Sequence, residues 1–481
     1  MLQAVLFDLD NTLANTKEIE EIRERGNYDL LNEETLRNVH AYPKCHDLIV
    51  ALKEKGVKVG IVTNSARAYA QKVLAHIGLP GFDVIVTYND VGMKGAKPNP
   101  DGILKAVDEL ELEANENIIY IGDNYKDIVA AYRAKVKPAI CSWAHRYPVS
   151  QSPSIELSTE YLLDEIDSPE NLKLIAELTE EHESFDFSKK RLYFLPVDLS
   201  ANVVTLKDDM KIFVLGRYFS QKSIDTIEYH HNHKLSKKIA EKNSNKNFKA
   251  PDYWVDLISH CVEKIPDYHH ECDKYDIVTV IPAKSGRPQR LEDLLSRVQA
   301  KLNDSKILFI PDIFEFSKDA GTQKTLAGDE RYDSAKSSIS VNKSHIDTIN
   351  GSNILIIDDV ITTGATLRVA IELLEALEPS SVKALAIAKT VTIKSLEEKE
   401  CPECSRMMQI IKRKDSDIYF WGCTGYHEDP QCKNTENYIE KDCPICGRGM
   451  VKKRRRKDGV YFLSCSGYNL EPSCNYSESL D

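Results

Sequence analysis

Residues 1–148 alternate apolar runs with amphipathic stretches. The runs at 2–10 (LQAVLFDLD), 57–65 (VKVGIVTNS), 83–88 (DVIVTY), 117–123 (NIIYIGD) and 137–143 (KPAICSW) have the near-continuous apolar character of strands buried on both faces. Between them, 48–56, 66–78 and 126–135 carry apolar residues at helical spacing. This alternation predicts a doubly wound α/β domain over 1–148. Acidic, Ser-rich text follows and predicts a partly helical linker over 149–190. A second alternating region, with strands at 276–283, 306–312, 353–360 and 383–390 and helices at 291–302 and 366–377, predicts a second Rossmann-like α/β domain over 191–395. Residues 230–250 are polar and basic and give no clear element, and their histidines read as surface groups. The long polar stretch 313–345 predicts a mobile loop over a site.

The last eighty residues break this pattern. Cys401-x2-Cys404-x18-Cys423-x8-Cys432 recurs forty-two positions later as Cys443-x2-Cys446-x18-Cys465-x8-Cys474. Four thiolates at such spacing predict one closed tetrahedral zinc site per unit. Each unit is too short to bury a core, so a structural zinc ion must supply much of its folding free energy. Units of 400–440 and 441–481 follow, with two Zn²⁺ in all. Of twelve cysteines, only Cys45, Cys141, Cys261 and Cys272 remain, read as ordinary thiols in a reducing, cytoplasmic setting. No apolar stretch approaches bilayer length and no signal segment is evident at the start, so no membrane partner is expected.

The net charge of −12 argues against a generally basic nucleic-acid binder, but residues 401–481 hold 13 Lys/Arg against 12 Asp/Glu. The basic groups there are Lys412, Arg413, Lys414 and the run Lys452, Lys453, Arg454, Arg455, Arg456, Lys457. They interleave with Tyr419, Phe420, Trp421, Tyr426, Tyr461, Phe462 and Tyr468. Cations beside stacking surfaces, Trp421 and Phe462 foremost, are what sequence-tolerant binding of single-stranded DNA or RNA requires. The repeat resembles the C4 zinc ribbons at the C-termini of type IA DNA topoisomerases, which implies the binding module and not strand passage.

In the first domain, Asp8 and Asp10 stand where the first strand ends. Thr63-Asn64-Ser65 follows the second, Lys97-Pro98 lies beyond, and Gly122-Asp123-Asn124-x2-Asp127 follows a later strand. Doubly wound sheets hold ligands at such strand ends. Of two carboxylates spaced i and i+2, one can attack phosphorus while the other protonates the leaving oxygen. The set resembles the haloacid-dehalogenase (HAD) superfamily, in its phosphoglycolate-phosphatase-like branch. The resemblance implies Asp8 as nucleophile, Asp10 as general acid/base, and Thr63 and Lys97 on the phosphoryl oxygens. It also implies Mg²⁺ on Asp8, the Asp10 carbonyl and Asp123, supported by Asp127. The short insert before Tyr42 allows only a small cap.

In the second domain an apolar strand ends in Asp358 and Asp359, and the turn Thr362-Thr363-Gly364-Ala365-Thr366 opens a helix. N–H groups of such a turn, with the helix dipole, cradle a phosphate monoester, and the acidic pair suits ribose hydroxyls beside Mg²⁺. This resembles the PRPP signature of type I phosphoribosyltransferases, in particular the ComF group, through Gln323 to Leu326 and Glu330-Arg331. By that resemblance Lys284, Ser285 and Gly286 form the pyrophosphate loop. The chain is thus expected to be a bifunctional enzyme acting on a phosphorylated small molecule or nucleotide and on PRPP or a ribose phosphate. Its ribbons would hold it on nucleic acid, in DNA uptake, repair or defence. Two alternatives stay open: a nucleic-acid-binding regulator that only senses PRPP or nucleotide, and a nucleotide-salvage enzyme with protein-docking ribbons.

Overall fold

The structure is a computed structural model, and it describes the chain except residues 183–184, 188–190, 207–208, 318–327, 394–398, 414–415, 417, 428–429, 456 and 481. Two compact units emerge: Met1–Tyr218 with His233–Thr392, and Phe219–Asn232 with Ile393–Asp481.

The first unit contains two sheets. One is wholly parallel, built from β1 (Ala4–Phe7), β2 (Lys58–Val62), β3 (Val84–Val86), β4 (Ile118–Gly122), β5 (Lys137–Cys141) and β6 (Ile155–Leu157), in the order β3-β2-β1-β4-β5-β6. Winding runs outward from β1 in both directions, so the crevice at the carboxyl ends of β1 and β4 is where this topology places a ligand. The apolar runs are explained by burial on both faces: Val5, Phe7 and Ile121 enter one core, and Leu6, Val62 and Tyr120 the other. The insert after β1 forms only short pieces, among them α1 (Glu20–Arg25). The helices α2 (Cys45–Glu54), α3 (Arg67–Ile77) and α4 (Tyr125–Arg133) flank the sheet.

The second sheet comprises β7 (Leu195–Val197), β8 (Ile212–Val214), β9 (Arg217–Tyr218), β10 (Ile277–Val280), β11 (Leu308–Phe309), β14 (Asn353–Ile361) and β15 (Ser381–Thr390). Its order is β11-β10-β14-β15-β8-β7 with β9 also on β15, parallel except for β7. Because β10 and β14 are adjacent and parallel, the loops that follow them emerge at the same end of the sheet.

Several expectations need correction. Residues 149–181 are not a linker: β6 is the sixth strand of the first sheet, and helix Thr159–Asp164 buries Leu162 in its core. Helix α5 (Ile175–Glu181) buries Ile175 and Ala176 in the core of the second domain. The joint carries buried charge. Arg217 donates from Nε and Nη2 to the Glu177 carboxylate, both at 2.8 Å, and from Nη1 to Tyr132 Oη at 3.1 Å and Ser154 Oγ at 2.6 Å. Arg146 donates to the carbonyls of Val203 (3.0 Å) and Val204 (2.6 Å), and Lys389 Nζ donates to Ser150 O at 2.7 Å. The two α/β domains therefore form one body. The polar stretch 230–250 is helical, as α6 (Lys234–Ser244) preceded by Ile224–Asn232, and His230 is buried. Further on, α7 (Asp252–Lys264) and α8 (Arg290–Lys301) bury Leu257, Ile258, Leu294 and Leu295 in the same core as Ile175. Within 313–345, β12 (Phe314–Phe316) pairs antiparallel with β13 (Ile339–Val341), and α9 (Gly328–Ser338) precedes β13. The described parts of that stretch thus include a strand pair and a helix where a loop was expected, and residues 318–327, on which the same expectation falls, lie outside the described residues.

Each four-cysteine unit is a four-stranded antiparallel sheet: β16–β19 at Lys399–Glu400, Met407–Lys412, Tyr419–Cys423 and Thr435–Asn437, and β20–β23 at Lys441–Asp442, Gly449–Arg454, Tyr461–Cys465 and Ser477–Ser479. Among the described residues, their core clusters are Cys401, Cys423 and Cys432 with Met408 and Trp421 in one, and Cys443, Cys465 and Cys474 with Met450 and Leu463 in the other. Cores that small need the metal. Among the described residues, no helix is long and apolar enough to cross a membrane.

Candidate functional site

Asp8 leaves the end of β1 with its N–H bonded to Ile121 O at 2.9 Å. Asp123 and Asp127 come from the turn after β4 and the first turn of α4, which Asn124 caps by accepting from Lys126 N. One oxygen from each of Asp8, Asp123 and Asp127 lies within 4.8 Å of the others. Gly122 is required here because a Cβ would stand 2.2 Å from the Asp127 carboxyl carbon. Lys97 Nζ lies 2.8 Å from Asp8 Oδ1 and 2.7 Å from both Asp127 Oδ1 and the Tyr120 hydroxyl. Asn64 clamps the Lys97 backbone in both directions, accepting from its N–H at 2.8 Å and donating to its carbonyl at 2.9 Å. Thr63, buried after β2, accepts from Ser65 N at 3.1 Å.

Three buried carboxylates share one buried cation, so negative charge is in excess. Burial pushes Asp8 up to about 7 even against Lys97, with Asp127 and Asp10 adding to the rise. Burial, then Asp127 and Asp8, push Asp123 up to about 8. An all-oxygen donor set short of positive charge fits a hard divalent cation.

Asp10 lies in a separate network. Its Oδ1 accepts from Thr16 Oγ1 (2.8 Å) and Tyr69 Oη (2.6 Å) and faces Arg23 Nη1 at 3.2 Å, and its Oδ2 accepts from Ser65 Oγ at 2.6 Å. Sequence reading missed Arg23, Tyr69, Asn64 as a clamp and Ser65 as a donor. The position of Ser65 two residues after Thr63 was the available signal; Arg23 and Tyr69 carried none.

At the second site Asp358 and Asp359 lie within β14, which continues to Ile361 beside β15. Asp358 Oδ1 accepts from Asp359 N at 2.8 Å, and its carboxyl is pushed up to about 7 by burial and by Asp359. Lys242 from α6, itself buried, is ion-paired with Asp359, a contact the sequence did not suggest. Thr362 Oγ1 lies 3.1 Å from Thr390 Oγ1. Gly364 has φ +71° and is the residue before α10 (Ala365–Glu375), so the helix starts one position earlier than Thr366. Thr363 and Thr366 stand on either side of that helix start. A Cβ at Gly364 would also stand 3.2 Å from Ala201 Cβ. In the loop after β10, Arg287 N bonds Lys284 O at 2.9 Å around Ser285 and Gly286, and Lys284 Nζ lies 5.3 Å from the Phe316 ring centroid. Gln323 to Leu326 lie outside the described residues.

In the ribbons, Cys401 and Cys432 Sγ are 3.6 Å apart and Cys404 and Cys423 3.3 Å. The equivalent pairs Cys443–Cys474 and Cys446–Cys465 are 3.8 and 3.5 Å apart. A tetrahedron of thiolates about 2.3 Å from zinc has edges of about 3.8 Å, whereas a disulfide is about 2.05 Å. Trp421 is only 3% exposed and packs in the ribbon core, which removes it as a stacking surface. The cations lie over other rings: Arg413 over Phe420, Lys452 and Arg454 over Tyr461, and Arg455 over Phe462, at 5.2–5.8 Å from the centroids. Lys453 Nζ donates to Ser464 Oγ at 3.3 Å, and Lys457 is exposed. Lys414 and Arg456 lie outside the described residues, and for Lys412 only the strand placement is described. Among the described ribbon residues the exposed aromatics are Tyr426 (47%) and Tyr468 (59%), which occupy equivalent positions in the two repeats.

Three family models match the chain: haloacid dehalogenase-like hydrolase over residues 20–141, phosphoribosyl transferase domain over 256–423, and topoisomerase DNA binding C4 zinc finger over 440–481. Pyrophosphatase PpaX of Bacillus cereus (strain B4264) is 38% identical over 106 residues, 22% of this chain and 48% of that protein. Phosphoglycolate phosphatase of Aquifex aeolicus (strain VF5) is 36% identical over 118 residues, 24% of this chain and 54% of its own length. The chain thus spans about half the length of the curated relatives it matches. Among solved structures, a HAD phosphatase from Thermococcus onnurineus aligns with 35% of this chain and 98% of its own at 22% identity and TM-score 0.29.

Proposed function

From a chain that joins a HAD-like hydrolase domain, a phosphoribosyltransferase domain and topoisomerase-type zinc ribbons, we propose a cytoplasmic bifunctional enzyme held on single-stranded nucleic acid. Its first activity is Mg²⁺-dependent phosphomonoester or diphosphate hydrolysis. The observation that carries this is the buried cluster Asp8–Asp123–Asp127 with Lys97 on Asp8. Asp8 attacks phosphorus, Asp10 hands a proton to the leaving oxygen, and Lys97 and Thr63 hold the phosphoryl oxygens. Water then cleaves the aspartyl-phosphate, returning the Asp8 carboxylate and orthophosphate, and its proton goes to Asp10. Asp8, Asp123 and Asp127 would hold Mg²⁺, which would supply charge neutralisation at the transferring group. Both relatives' names denote substrates with a second anionic group beyond the scissile bond, and we assign that class here. In full-length protein, Asp8→Asn is expected to lower hydrolysis by about three orders of magnitude or more with unchanged circular dichroism. Turnover at the wild-type rate would remove the mechanism.

The second activity is PRPP or ribose 5-phosphate binding, with the phosphate on the 362–366 turn, the ribose at Asp358–Asp359 and Lys284–Gly286 facing a pyrophosphate. Attack of an acceptor nitrogen on the ribose C1 of PRPP there would expel pyrophosphate, itself a candidate substrate for the first activity. For the ribbons, support comes from the paired cations and exposed Tyr426 and Tyr468, and a role in uptake, repair or defence of nucleic acid follows from that tether. Two zinc ions per chain are expected by metal analysis, one after Cys443→Ser. A gel shift with single-stranded oligonucleotides separates this tether from protein docking.

A further inference from the structure

Helix α1 buries none of its residues, yet one of its side chains reaches the phosphatase centre. The Arg23 guanidinium faces Asp10 Oδ1 at 3.2 Å with its side chain 22% exposed. Its other hold is Glu20 Oε1 at 3.2 Å, a carboxylate that is itself half-exposed. Nη2 donates to Glu20, Nη1 is ion-paired with Asp10, and the guanidinium makes no other hydrogen bond among the described residues, which leaves donors for a ligand. The site has two cations placed differently: Lys97 on Asp8, and Arg23 on Asp10.

Under the phosphatase reading above, on which this rests, phosphorus sits at Asp8 and the leaving oxygen at Asp10. Lys97 then serves the transferring phosphoryl group, and Arg23 stands at the leaving-group end. We propose that Arg23 is a specificity-determining residue that selects substrates whose leaving group carries its own negative charge next to the scissile bond. A diphosphate is the simplest case, and a phosphate ester of a short hydroxy acid is another. The planar guanidinium can keep one N–H on Asp10 while others take the leaving group's anionic oxygens, which a lysine at the same place would do less well. The same contact orients Asp10 toward the oxygen that departs with the P–O electron pair and takes a proton.

The test is steady-state hydrolysis by full-length protein with Mg²⁺ of inorganic pyrophosphate, 2-phosphoglycolate and p-nitrophenyl phosphate, whose leaving group is uncharged at the reacting end. Arg23→Gln perturbs Asp10 and slows all three, so the readout is the ratio of kcat/KM values. The ratio of the better anionic substrate to the aryl phosphate is expected to fall at least about tenfold in Arg23→Gln and to recover in part in Arg23→Lys. An unchanged ratio, or wild-type protein that hydrolyses the aryl phosphate but neither anionic substrate, overturns the assignment of Arg23 and leaves the phosphatase reading standing. Wild-type protein that hydrolyses none of the three overturns the phosphatase reading itself.

Discussion

The two sites proposed to bind phosphate solve the problem of concentrated carboxylates differently. In the first, Asp8, Asp123 and Asp127 are buried, and a cation from the same domain, Lys97, lies against Asp8 and Asp127. Asp8 and Asp123 follow strand ends, Asp127 lies in the first turn of α4 and Lys97 just after the helix Tyr88–Gly95, so the site is complete within some 120 contiguous residues. In the second, Asp358 and Asp359 are only partly buried, and their cation, Lys242, comes from a helix 117 positions earlier in the chain. The first is preorganised by its own topology. The second depends on how a remote helix packs, and that packing depends in turn on the joint between the domains.

The joint is therefore the place to break the comparison most severely. Glu177 and Arg217 are both buried, and Glu177 also faces His233 Nε2 at 3.4 Å, one residue before α6, the helix that carries Lys242. Burial raises the Glu177 carboxyl, but Arg217 and then His233 outweigh it and hold the group well below its ordinary 4.5. Glu177→Gln leaves a buried guanidinium unpaired and is expected to cost about 3–5 kcal/mol of stability by denaturant unfolding. Because the folded value is depressed, the pair's stabilisation is fully present above about pH 4.5 and is lost as pH falls toward the depressed value. The wild-type unfolding midpoint is expected to drop over that acid range, and Glu177→Gln to flatten the drop. A fragment cut at residue 191 loses Glu177, Ser154 and Arg146 together, so ribose-phosphate binding belongs in the full chain.

The next effect sharpens the comparison without touching the joint. Replacing Asp358 and Asp359 by Asn is expected to weaken ribose 5-phosphate binding with Mg²⁺ by about a hundredfold in calorimetry, because charged acceptors become neutral ones. Phosphatase turnover should hold, since its carboxylates are a separate set. Parallel loss of both activities would show that the sites act as one.

What the sequence made legible follows the same division. Asp8, Thr63 and Asp123 stand directly after apolar runs and Asp127 one helical turn beyond Asp123, so a local pattern located them. Tyr69 and Ser65 reach Asp10 across 59 and 55 positions, and no window connects them. The acidic text of 149–190 resembled a linker because Glu177 has its neutralising partner forty positions on. Residues 313–345 concealed two three-residue strands, too short for alternation to register. Trp421 is a different case: strand period two puts Tyr419 and Trp421 on one face, and both are buried, so the periodicity carried the signal that aromatic composition alone obscures.

The smallest expected effect concerns Lys242. Its ammonium holds the Asp359 carboxylate that a divalent cation and the ribose hydroxyls would need, with the two side chains 11% and 28% exposed. Binding must either displace the lysine or share the carboxylate with it, and displacement costs the ion pair. A partly exposed pair contributes about 1 kcal/mol, so removing it by Lys242→Met is expected to tighten Mg²⁺-dependent ribose 5-phosphate binding about threefold to tenfold. The aliphatic part of methionine fills much of the buried stem, which limits the loss of packing. Calorimetric titration of the variant against wild type reads the change directly. Weaker binding would mean that Lys242 touches the ligand's phosphate and shares the carboxylate, and the second site would then be preorganised by its remote helix as the first is by Lys97.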